Sequence, residues 1–331
     1  MSLMSLPKAE LHLHVEGTME PDLIFELASR NHVALPFADI EDLRGRYSFA
    51  DLQSFLDLYY AAMGVLRSAQ DFTDLARVYL DRAYAQGVRH VEMFFDPQPH
   101  MDRGVPIEAV VDGLSTALNE AQRADRITGG LILCFLRDRG PDAASAVLRA
   151  AGSRADSLIG VGLDSAEVGH PPGAFADVYA AARDLGLHTV AHAGEEGPPS
   201  YVWEALDMLG VERIDHGIRS MEDPELVARL RRDRTPLTVC PLSNVALGAV
   251  EDLGVHPLAQ MLAENLMVTV NSDDPAYFGG YVGDNYEACE QELELERHQL
   301  VLLAQNSVNA SFASAERKAA LLVEIDAWTR A

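Results

Sequence analysis

Short, near-continuous apolar runs alternate along this chain with longer segments whose apolar residues recur every three or four positions. Eight runs read as strands: Ala9–Val15, Val88–Phe95, Gly130–Leu136, Ile159–Leu163, His188–His192, Arg213–His216, Pro236–Cys240 and Met267–Asn271. Most are bounded by Gly, Pro or Asp, the residues that end regular structure. Helical spacing fills the gaps, as in Asp71–Gln86, Pro106–Arg123, Gly173–Leu185 and Asp223–Arg232. Strands apolar on both faces need cover on both faces, which strand–helix alternation provides in a parallel sheet. Eight such units predict a (β/α)8 TIM barrel, with residues 1–331 forming a single domain. At 331 residues, 48% of them hydrophobic, the chain has enough apolar surface for that core.

The first strand–helix connection is long. Residues Leu35–Leu66 include the stretch Tyr47–Leu56, which reads as helical decoration over the barrel mouth; a lid and plain exterior packing both remain open for it. The tail is helical from Asn285 onward, and Ala315–Trp328 is expected to close the barrel from outside.

Composition narrows the partners. The formal net charge is −25, from 51 acidic against 26 basic residues, so the surface repels nucleic acid and anionic membranes. A neutral or cationic small molecule fits this charge. Three cysteines without CxxC spacing suggest neither a disulfide framework nor a cysteine metal site, which suits a reducing compartment. No apolar run reaches the ~18 residues of a membrane helix, and Met1–Leu6 is too short and too weakly basic for a signal peptide. A cytoplasmic location is expected, and a homo-oligomer stays open.

Chemistry concentrates where strands end. His12-Leu13-His14, His192-Ala193-Gly194-Glu195, Asp215-His216 and Asp273-Asp274 each close an apolar run, so all four emerge on one edge of a parallel barrel. Alternate strand residues share a face, and His12 and His14 can therefore present imidazoles to one ion. With His192 and Asp273 they make a three-imidazole, one-carboxylate set suited to Zn²⁺, although Fe²⁺ or Mn²⁺ would also bind it. Only Lys8 and Lys318 are lysines, and neither lies at the fourth strand end, where Gly162–Glu167 has none. A lysine-bridged metal pair is thereby excluded, and one ion is expected.

An attacking water needs a base and a fixed direction. His216 can hold and deprotonate it, with Asp273 assisting. Glu195 follows the ligand His192 by three residues in a glycine-containing turn. If partly desolvated it becomes a proton donor. The pair Asp273-Asp274 places one carboxylate on the metal and the other toward the substrate. His32, His100, His188, His256 and His298 read as hydrogen-bonded core histidines.

These residues resemble the adenosine/adenine deaminase family of barrel hydrolases. The matching stretches are Pro7–Thr18, His192–Glu195, Asp215–Gly217, Cys240–Asn244 and Ser272–Pro275, in the family's order and over nearly the whole chain. The resemblance implies zinc on His12, His14, His192 and Asp273, Glu195 as proton donor to purine N1, and His216 beside the attacking hydroxide. It also implies Asp274 facing N7 and the Gly162 backbone near N3. Within the family, Glu92–Gln98, Gly162–Pro172 and Asn271–Tyr281 look like the bacterial and fungal enzymes that use free adenine. Glu16 stands where many nucleoside-using members have a shorter aspartate, which would reduce the room for a sugar. The expectation is a purine-salvage enzyme that converts adenine to hypoxanthine and ammonia. Adenosine or an N6-substituted adenine as substrate, and a non-catalytic purine-binding barrel, are the alternatives.

Overall fold

Eight strands lie side by side in chain order, each parallel to the next. They are β1 (Lys8–His14), β2 (Val88–Phe95), β3 (Thr128–Leu136), β4 (Leu158–Asp164), β5 (His188–Ala193), β6 (Arg213–His216), β7 (Pro236–Val239) and β8 (Met267–Val270). Each corresponds to an apolar run of the sequence, shifted by at most two residues at either end. The computed structural model describes residues 2–49 and 52–331; Met1, and Ala50 and Asp51 of the 47–56 stretch, lie outside the described residues.

The sheet closes between β1 and the segment that follows β8. Leu13 pairs with Asp273 in a parallel bridge, His14 N–H donates to Asp273 O at 3.0 Å, and Asp273 N–H donates to His12 O at 3.1 Å. The seam of the barrel thus runs through the backbone of three predicted metal ligands. With helices packed around it, the architecture is a (β/α)8 barrel.

The barrel interior is partly polar. Arg213 of β6 reaches across to Glu92 of β2 at 2.6 Å, and both side chains are fully buried. Arg213 is the first residue of β6, and Glu92 lies midway along β2. Removing one partner would strand a charge in the core, at a cost of about 3–5 kcal/mol.

Helix Arg297–Ala310 covers the β8–β1 seam: Ser307 Oγ accepts from Ala9 N–H at 3.0 Å, and Asn306 Nδ2 donates to Val268 O at 3.0 Å. Helix Ala315–Arg330, expected to close the barrel, packs outside this one. The reason is its sequence: it buries only Leu321, Ile325 and Trp328, whereas the preceding helix offers small and polar residues that let backbones approach.

Over the mouth lies helix Leu52–Met63, which buries Phe55, Leu56 and Tyr59. Its rings interlock with Tyr277 and Phe278 from the loop after β8; the Phe55 and Phe278 centroids are 4.7 Å apart. The expected decoration is therefore a roof pinned by aromatic packing. Among the described residues no helix is long and apolar enough to cross a membrane.

Candidate active site and metal centre

At the C-terminal rim of the strands the ligand atoms of His12, His14, His192 and Asp273 lie within 4.8 Å of one another, all buried. His12 Nε2 is 3.3 Å and His14 Nε2 3.5 Å from Asp273 Oδ1, and His14 Nε2 is 3.2 Å from His192 Nε2. A tetrahedral ion with ligands at ~2.0–2.1 Å spaces them about 3.3 Å apart, so the set has the right edge lengths.

Protonation follows from the partners. His12 Nδ1 lies 3.2 Å from the Thr238 carbonyl, which only accepts, so Nδ1 carries hydrogen and Nε2 is the nitrogen left for the cluster. That Nε2 is buried without a hydrogen-bond partner. Burial drives His14 down to about 4 and His192 well below the ordinary histidine value, which keeps both imidazoles neutral. Burial also works against an ionised Asp273, but His12, His216 and His14 outweigh it and hold that carboxyl well below the usual range. Two neutral imidazoles and one unpartnered ring nitrogen converging on an anionic carboxylate fit a divalent metal. A group sharing two of these residues, His12, His216, Cys240 and Asp273, brings its ligand atoms equally close, but burial pushes the Cys240 thiol well up and makes it a poor ligand.

The cluster opens into a roofed pocket. His14, His192, Glu195, His216, Asp273 and Asp274 line one side, Asp96, Asp164 and Ser165 another, and Leu52, Phe55, Leu56, Tyr59, Tyr60 and Leu247 the roof. Burial, followed by the charges of Asp273, Glu167 and Glu196, raises Glu195 well above the usual carboxylate range, which favours its protonated form. His216 Nε2 stands 3.5 Å from Glu195 Oε2 and 3.8 Å from Asp273 Oδ2. Burial and the adjacent Asp273 also push Asp274 well up.

Backbone strain marks the site. Ser165, His216 and Asp273 have φ of 68°, 60° and 63°, left-handed values that cost a non-glycine residue about 1–3 kcal/mol each. All three sit where a strand stops, and the conformation turns the chain sharply at the rim.

Two expected substrate contacts lie elsewhere. Glu16 does not line the pocket: it is fully buried one layer behind, accepting from Asp96 N–H at 3.2 Å and from His100 Nε2 at 3.0 Å. Gly162 also lies outside the lining; a Cβ there would sit 2.7 Å from Cys134 Sγ.

Other residues at the site had no individual role in the sequence reading. Asp96 is lifted to about 7 by burial and Glu16, and Asp164 well above its usual range by burial and Asp96, so the pair shares a proton. Glu167 is buried, and its carboxylate accepts from the backbone N–H of Gly194, Glu195, Glu196 and Gly197 at 2.6–3.1 Å, which anchors the loop that carries Glu195. Position at a strand end was the signal available for Asp96 and Asp164; nothing local flags Glu167.

Known proteins resemble the chain along nearly its whole length. The model of the adenosine deaminase family matches residues 7–328. An adenine deaminase of Streptomyces coelicolor is 60% identical over 99% of this chain and 97% of its own length, and one of Sphingopyxis alaskensis is 57% identical over 98% and 96%. Among solved structures, an adenine deaminase from Arthrobacter aurescens superposes with a TM-score of 0.97 at 56% identity, covering 98% of this chain and 99% of that one. An amidohydrolase from Burkholderia ambifaria with bound Zn gives 0.90 at 29% identity, covering 99% and 93%. With a barrel closed through His12, His14 and Asp273 and a family match along nearly its full length, the chain belongs to the adenosine deaminase family.

Proposed function

We propose that this chain is an adenine aminohydrolase, converting adenine and water to hypoxanthine and ammonia. One observation carries the reading: Glu195, His14, His192 and Asp273 converge on one roofed, buried pocket, with His12 buried in the same ligand cluster. The names of relatives at 57–60% identity support the substrate.

His12, His14, His192 and Asp273 would hold one divalent ion, and their donor set favours Zn²⁺, with Fe²⁺ or Mn²⁺ as chemically acceptable substitutes. When bound, such an ion acidifies water and so makes hydroxide available at neutral pH. Glu195 donates its proton to N1 as C6 is attacked, so that no full negative charge builds on the ring. His216 stands beside the attacking oxygen and fixes its direction. Asp273 accepts the proton released by the attacking water and returns it to the departing amine. The C6–N bond then breaks, ammonia leaves, and the proton remaining on the C6 oxygen passes to Glu195 as the carbonyl forms, restoring the acid. Asp274 binds N7, and the Gly162 backbone, behind the wall, sets the depth of the N3 side. The Asp96–Asp164 pair, one donor and one acceptor, matches N3 and N9–H of the free base. Glu16 acts through Asp96, whose backbone N–H it holds.

Adenosine lacks N9–H and would leave an acceptor unpaired. Absorbance-monitored kinetics should give a kcat/KM for adenine at least ~100-fold above that for adenosine. Equal or better turnover of adenosine would overturn the substrate assignment. In Glu195→Gln, turnover should fall at least ~100-fold while metal content, read by atomic absorption, stays unchanged. Undiminished turnover would remove Glu195 from its role.

A further inference from the structure

Behind the catalytic pair lies a chain of hydrogen bonds whose directions can be read from one end. Leu258 N–H donates to His256 Nδ1 at 3.1 Å, so that nitrogen presents a lone pair. An imidazole always carries at least one N–H, so Nε2 of His256 bears it. It faces Asn244 Oδ1 at 3.2 Å. The Asn244 amide is thereby oriented. Flipped, its NH₂ would meet His256 Nε2, and both ring nitrogens would have to accept, which no imidazole does.

With its oxygen committed to His256, the Asn244 amide turns Nδ2 toward the site. It lies 3.1 Å from Glu195 Oε1 and 3.2 Å from His216 Nδ1. An amide N–H donates only to a lone pair, so His216 Nδ1 is bare and its hydrogen sits on Nε2. Likewise Glu195 Oε1 accepts, which leaves Oε2 as the oxygen free to carry a proton. His216 Nε2 and Glu195 Oε2 stand 3.5 Å apart at the pocket wall, beyond a good mutual hydrogen bond and so open to a third group. All these side chains are buried, and no solvent competes for the bonds.

We propose that Asn244 and His256 are positioning residues: anchored on the Leu258 N–H, they lock His216 with hydrogen on Nε2, so that His216 meets the attacking oxygen as a hydrogen-bond donor. This rests on the deamination reading above and refines it. His216 does not take the proton from water in its resting tautomer; that task is left to Asp273. The same amide decides which oxygen of Glu195 serves as acid. A single backbone N–H therefore orders both groups flanking the reaction.

The test uses Zn²⁺-loaded enzyme containing ¹⁵N-histidine. The ring nitrogen shifts report each tautomer, and His216 is assigned in the wild-type protein by through-bond correlation of its ring to its backbone after additional ¹³C labelling. Hydrogen on Nε2 is expected in the wild-type protein; hydrogen on Nδ1 overturns the proposal, and this spectrum alone decides it if variants fail to fold. In His256→Leu the His216 tautomer should change or become mixed, with kcat for adenine down about 30-fold and KM within about threefold. His256→Gln, which keeps an N–H donor, should recover kcat to within about fivefold of wild type. A His256→Leu enzyme with unchanged tautomer and kcat overturns the proposal. Absence of adenine turnover in wild type would refute the deamination reading instead, and the spectrum would still decide the tautomer.

Discussion

Replacing Glu167 by glutamine changes one atom of a buried side chain and should damage both stability and catalysis. In the native loop Oε1 accepts from Gly194 N–H at 2.6 Å, while Oε2 accepts from Glu195, Glu196 and Gly197 N–H at 3.1, 2.9 and 2.8 Å. Glutamine can keep its oxygen toward the three and turn its NH₂ toward Gly194. One bond is then lost, a donor faces a donor, and three bonds lose their charge. Bonds to a charged group contribute about 1.5–3 kcal/mol against ~1 for neutral ones, and an unsatisfied buried N–H costs about 1–3. A net loss of ~3 kcal/mol is a conservative sum. Burial already opposes the charge on Arg137, whose guanidinium gains from Glu167 and bonds His170 O and His192 O at 2.9 and 2.8 Å, so neutralising the carboxylate adds to the cost.

With an unfolding entropy of ~2.1 cal/mol/K per residue, 331 residues give ~0.7 kcal/mol/K, and ~3 kcal/mol lowers Tm by about 4 °C. Because the Glu195 amide is one of the four donors, kcat should also fall, by about 10- to 100-fold, with metal content unchanged. Differential scanning fluorimetry and steady-state kinetics read the two effects. A variant within about 1 °C and twofold of wild type would refute the reasoning, since it would mean that the loop holds its shape without the carboxylate.

Gly17→Ala tests the second acid: the new Cβ would lie 1.9 Å from Asp274 Oδ1, so Asp274 must move, and kcat/KM for adenine should drop about 100-fold with little change in Tm. A loss under about threefold would show that the position of Asp274 does not matter. Lys8, at the closed end of the barrel, supplies a pH test. Burial lowers its pKa from 10.5 to about 7, against the pull of Glu10 and Glu287 and with the push of Arg89. Between these values the unfolded chain holds a proton that the native one has released, so this group raises stability as pH climbs from about 7 to 10.5. Lys8→Met removes the effect; its Tm relative to wild type should be highest at or below pH 7 and decline toward pH 10, and a difference flat with pH would refute the assignment.

Much of this architecture is local information. Strand composition and three- to four-residue helical spacing set the eight units, and the two-residue spacing of His12 and His14 put both on one face before any contact was known. The sharp chemistry at strand ends followed, because a parallel barrel brings all C-terminal ends to one rim. What only the tertiary structure decided is which groups meet across that rim and in what protonation state. Glu16 was expected near the substrate from the family resemblance, yet the turn after His14 carries it behind Asp96. His256 looked like a core histidine, and it is one, but its hydrogen bond runs through Asn244 to His216. Glu167 holds a loop some 30 residues away by backbone N–H groups that have no side-chain signature. A residue type declares which chemistry is available. Burial, hydrogen-bond direction and left-handed turns at Ser165, His216 and Asp273 depend on partners distant in the chain, and these fix which of that chemistry is used.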